Sequence, residues 1–89
     1  MGKTPKQSAS FIKERLPWGV LLYEDRPVEL LAFLDEYMQE AEGVDTRCYL
    51  LARALRHSVE HRHMGAFRRW HKMALKNARG ELPEQRGEH

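Results

Sequence analysis

A single cysteine, Cys48, among 89 residues excludes an intramolecular disulfide and fits a reducing, cytoplasmic setting. No apolar run approaches the length of a membrane span, and Met1 to Ser10 carries Lys3 and Lys6 with no apolar stretch behind them. Neither a membrane segment nor a signal peptide is expected. The chain also has no glycine-rich phosphate loop and no internal repeat. So short a chain buries proportionately little of its surface, which argues against a deep substrate pocket. These absences predict a small, soluble, non-enzymatic domain without cofactor, metal or small-molecule substrate.

Acidic residues are scarce in one region only. From Thr46 to Arg79 nine basic residues stand against Glu60 alone, a charge of +8, whereas Pro17 to Asp45 sets eight acids against Arg26, a charge of −7. The ends carry +3 (Met1 to Leu16) and −2 (Gly80 to His89), so the net +2 hides two opposed fields. Such segments either neutralise each other within the fold or leave one of them facing a charged partner.

The pattern of apolar residues predicts helices. Ser8 or Ser10 caps a short first helix through Phe11, Ile12 and Leu16, and Pro17 is expected to stop it, because the residue before proline is pushed out of the helical region. The apolar stretch that follows, 17–24, reads as an extended arm or a short helix; a lone strand would find no partner. Pro27 opens a second helix with Asp25 or Arg26 as cap, and Leu30, Leu31, Leu34, Tyr37, Met38 and Ala41 form its apolar stripe. Gly43 ends that helix as a left-handed cap, and Asp45 caps the next. Beyond it Cys48, Leu51, Ala52, Leu55, Val59, Ala66, Trp70, Met73 and Ala74 keep one helical phase, which favours one long helix over 46–79 with a weak point, and the site of any kink, at Gly65. The expected fold is all-α: a short N-terminal helix, an apolar arm, and an antiparallel pair of helices over 27–42 and 46–79. Residues 8–79 form the single domain, and 1–7 and 80–89 read as disordered ends.

Three constellations are candidates for function. The apolar arm offers Trp18, Val20, Leu22 and Tyr23 to a partner, since its side chains cannot all face water; the alternative is that they cover the helix pair. On the long helix His57, His61, Met64, Arg68 and His71 recur at steps of four and three, the spacing of a helix-packing seam. Used as a homodimer interface, that seam would loosen in acid as its histidines charge beside Arg68. His63 points with the apolar stripe and reads as a core histidine.

The third constellation is the basic series Arg53, Arg56, Arg68, Arg69, Lys72, Lys76 and Arg79, whose closely spaced cations suit nucleic-acid phosphates. A solvated face partly cancelled by Asp35, Glu36, Glu40 and Glu42 is the alternative. His57, Ser58, Val59, Glu60 and His61 also spell H-x-x-E-H, the order found in inverzincin metallopeptidases. A catalytic site needs a third ligand, a cleft and a far larger domain, so no metal and no catalysis are assigned to it; a surface metal clip is the most those residues offer. The function expected is that of a small helical regulator, inhibitor or adaptor that binds a protein target and self-associates as a homodimer. The alternative is a nucleic-acid-binding regulator that uses 53–79.

Overall fold

The computed structural model describes residues 9–82, with side chains from Ile12 onward; these form four helices and, among the described residues, no strand. They are α1 (Ala9–Leu22), α2 (Pro27–Ala41), α3 (Thr46–Glu60) and α4 (Met64–Ala78). The all-α expectation holds. The disorder expected for 1–7 lies outside the described residues, as does all of the tail beyond 82.

The middle of the chain follows its local signals. Pro27 occupies the first turn of α2, where its missing N–H costs nothing, and Arg26 holds the cap position without a side-chain bond. Leu30, Leu34, Tyr37 and Ala41, at steps of four, three and four, are the buried face of α2. The chain then reverses through a type II turn. Glu42 lies at φ −62, ψ 125 and Gly43 at φ 81, and the Val44 N–H donates to the Ala41 carbonyl at 2.9 Å. Asp45 caps α3 by accepting from the Cys48 N–H at 3.1 Å, so α3 packs back along α2.

Pro17 does not stop the first helix. It removes the N–H that would bond the Lys13 carbonyl, and its ring crowds that carbonyl, at a cost of about 3 kcal/mol. Yet α1 runs on to Leu22, because Ile12, Leu16 and Val20, on successive turns across the proline, are all buried. At ~1.5–3 kcal/mol for each fully buried aliphatic side chain, this burial outweighs the break. The Tyr37 hydroxyl also donates to the Ile12 carbonyl, in the turn the proline perturbs. The expected arm is therefore the second half of α1, and helicity sorts its residues: Val20 turns inward while Trp18, Leu21 and Leu22 turn out.

The long helix expected over 46–79 is two helices, and Gly65 is not where they part. α3 ends in a Schellman motif: the His63 N–H donates to the Ser58 carbonyl at 2.9 Å and the Arg62 N–H to the Val59 carbonyl at 3.2 Å. Arg62 takes the left-handed position, φ 57, which glycine usually fills. Gly65 sits exposed in the first turn of α4, and a Cβ added there would meet nothing within 4 Å. His63, expected in the core, is exposed at the cap position of α4. The phase of the apolar stripe misled here because it records rotation about a helix axis and not the direction of that axis. The buried face shifts as well: on α4 it is Phe67, Ala74 and Asn77, whereas Ala66, Trp70 and Met73 of the expected stripe are only half-buried.

This turn decides the packing. α2 lies on α3, α4 lies on α3 and α1, and α2 and α4 do not pack against each other. The described residues fill about 38 × 36 × 19 Å, two helical layers thick. Tyr37, the largest fully buried side chain, belongs to the core cluster with Ile12, Leu16, Leu34, Cys48 and Leu55.

Candidate interaction surface

The outer face of α1 is built by periodicity. Glu14, Trp18 and Leu21 lie one turn apart on the side opposite Ile12, Leu16 and Val20, with Leu22 beside them. Trp18, Leu21 and Leu22 are 69%, 54% and 67% exposed, so three large apolar side chains within five residues face water. Against this face α4 leaves a groove of about 440 Å³, lined by Glu14, Pro17, Trp18 and Leu21 from α1 and by His71, Leu75, Ala78 and Arg79 from α4. His71 is half-buried, stacks on Phe67 with ring centroids 6.3 Å apart, and has its Nε2 buried with no hydrogen-bond partner.

Of the interface residues expected from sequence, Trp18 and Leu22 stay exposed. Val20 is wholly buried, and Tyr23 is half-buried against Phe33, with ring centroids 6.0 Å apart. The histidine seam is not one face, because the turn at 61–63 divides it. His57 lines a second groove, of about 420 Å³, between α3 and α4 with Leu50, Arg53, His63 and Trp70. His71 belongs to the α1–α4 groove, while Met64 and Arg68 are exposed on α4. Leu21 of the apolar arm and Leu75, which follows His71 on the seam, also line the groove, whereas Pro17 and Ala78 are groove residues that the sequence-based reading omits. The signal for Pro17 lay in the α1 periodicity, had the helix been continued through it.

The basic series divides as well. Arg56 is neutralised, bonded to Asp35 at 2.6 Å and to Glu60 at 2.9 Å, and the Asp35 carboxylate raises its pKa further. Arg53 lies on α3. Arg68, Arg69, Lys72 and Lys76 on α4 and Arg79 at its C-cap are all exposed and make no ion pair among the described residues. The acids of α2 cancel charge elsewhere, through Asp35 with Arg56 and Glu40 with Arg15 at 2.5 Å. Since α2 does not pack on α4, and no acid stands between Arg62 and Gly80, the α4 face keeps its positive field.

The His57 and His61 rings lie 4.2 Å apart by centroid and His63 lies 6.2 Å from His61, yet no group of three or more metal-ligating side chains forms a site among the described residues. Cys48 is buried, burial pushes its thiol pKa up, and Asn77 Nδ2 donates to its Sγ at 3.5 Å. A neutral, enclosed thiol is a poor nucleophile. Among the described residues no helix is long and apolar enough to cross a membrane. Comparison with protein-family models, curated proteins and solved structures finds no match to the chain.

Proposed function

We propose that the chain is a non-enzymatic interaction protein that binds a protein partner through the α1–α4 face. The observation that carries this reading is the exposure of Trp18, Leu21 and Leu22 on one helix beside an open groove. Solvent-facing apolar clusters of this kind mark interaction sites, and tryptophan is enriched among residues that dominate binding. A photo-crosslinking amino acid placed at Leu21 in cells of the native host tests it against the same group at Glu36, which is exposed on α2. A discrete adduct is expected from position 21 and not from 36. An adduct of twice the chain mass would identify self-association, and equal labelling at both positions would remove the reading.

Nucleic-acid binding is a second reading, favoured by the exposed cations Arg68, Arg69, Lys72 and Lys76 of α4 and Arg79 at its C-cap, none of which makes an ion pair among the described residues. It predicts a retarded complex with mixed-sequence DNA or RNA at low salt that weakens steeply as salt rises. Reversing Arg69 and Lys76, both on the side of α4 away from the groove, is expected to weaken it at least tenfold. No complex at low salt would end this reading.

A further inference from the structure

We infer that the α1–α4 groove takes an acidic amphipathic helix of a partner protein, with the partner's acids along the flank that faces α4. This rests on the reading that the groove is the docking site, and adds the chemistry of what docks there. The floor is apolar and concave, formed by Pro17, Trp18, Leu21, Leu75 and Ala78 between two helices. A flat lipid surface leaves such a floor unfilled, whereas the ridge of a helix with apolar side chains at i, i+4 and i+7 enters it.

The two walls differ in charge. On α4, 3.6 residues per turn places Arg68, Lys72 and Arg79 within about 40° of one another, immediately beside the groove-lining positions His71 and Leu75. All three cations are exposed and unpaired among the described residues, and α4 has no acid of its own. The α1 wall presents Glu14 instead, and the nearby Arg15 is bonded to Glu40. A partner helix therefore meets a row of three positive charges on one flank and a single negative charge on the other. Complementarity asks for aspartate or glutamate towards α4, and for neutral or basic residues towards α1. His71, on the floor between them, is the polar side chain against which such a helix would pack.

Selection from a displayed library of 16-residue helices, with charge left free at every polar position, tests this on the full chain. Enrichment of acidic sequences is expected, with binding lowered more than tenfold by Trp18→Ser and by the double change Arg68→Glu with Lys72→Glu. The double variant is also expected to enrich basic helices in place of acidic ones. Trp18, Arg68 and Lys72 are exposed, so unchanged thermal unfolding of each variant serves as the folding control. Binders that depend on Trp18 but are neutral or basic, and indifferent to Arg68 and Lys72, would overturn the acidic-helix inference while leaving the docking site. Absence of any Trp18-dependent binder would overturn both. Two further probes complete the test. Capture by phosphatidylserine vesicles that Trp18→Ser abolishes would replace the inference with a membrane surface. Binding of RNA or DNA that is lost on Arg69→Glu with Lys76→Glu, and with no helix selected, would replace it with the nucleic-acid reading.

Discussion

Replacing Tyr37 by alanine is expected to cost about 3–5 kcal/mol of folding stability, the range for truncating a fully buried aromatic. The whole stability of a chain this long is roughly 4–13 kcal/mol, so urea or thermal unfolding followed by circular dichroism should show a large loss. Tyr37 is wholly buried and ties several elements to one ring: its hydroxyl bonds the Ile12 carbonyl of α1, Phe33 packs at 5.8 Å between centroids, and the Arg15 guanidinium lies 5.3 Å from the ring centroid. Tyr37→Phe keeps the ring and removes only the hydroxyl, for an expected loss of about 1 kcal/mol. A loss below that value for Tyr37→Ala would contradict this account of the core.

The same burial sets a pH dependence. Burial, reinforced by the neighbouring Cys48, holds the Tyr37 hydroxyl well above its ordinary range, and burial raises Cys48 likewise. In the unfolded chain these groups lose their protons near about 10 and 8.5, so above those values the unfolded state binds fewer protons than the folded one. Their contribution is complete at neutral pH and declines as the pH rises from about 8 to 11. Tyr37→Phe should flatten the upper part of that decline, and an identical slope in wild type and variant would exclude Tyr37 as its source.

Gly19→Ala should destabilise the protein by about 1–3 kcal/mol. Helix propensity alone argues the opposite, since alanine is favoured over glycine by about 1 kcal/mol in a helix interior. The clash decides the sign. A Cβ at position 19 would stand 2.0, 2.4 and 2.5 Å from three carbons of the Phe33 ring, which lies over the α1 backbone. That ring cannot move alone, because Tyr23 and Tyr37 pack on it with centroids 6.0 and 5.8 Å away. With Phe33→Ala in place the same change should become neutral or stabilising, and a double-mutant cycle should give a coupling above about 1 kcal/mol. Equal effects of Gly19→Ala in both backgrounds would show that the contact carries no energy.

Much of the fold is legible in the chain wherever one residue settles a local geometry. Pro27, Gly43 and Asp45 each perform the role their chemistry suggests, and the stripes of α2 and α3 are the core. The candidate interaction surface is less legible. Trp18 and Leu22 can be singled out as apolar residues in need of cover, but their separation from Val20 depends on helicity through a proline. Local propensity gives no reason to expect that helicity, because the stabilisation comes from side chains distant in sequence. Likewise the seam through His57, His61, Met64, Arg68 and His71 presumes an axis that Arg62 bends away.

The sequence by itself determines the helical class, the hairpin of α2 and α3, and the sorting of charge into an acidic and a basic segment, because these follow from periodicity, caps and counting over neighbours in the chain. Tertiary structure alone decides that the two charged segments cancel only in part, through Asp35 and Arg56. The left-handed Arg62 turns α4 onto α1 instead of leaving it in line with α3, and this places the α4 cations beyond the acids of α2. It also brings His71, Leu75 and Ala78 against Trp18 and Leu21 to make the groove. The physical reason is the same in both cases: a contact between helices depends on the direction of their axes, and direction is set by burial across the whole domain.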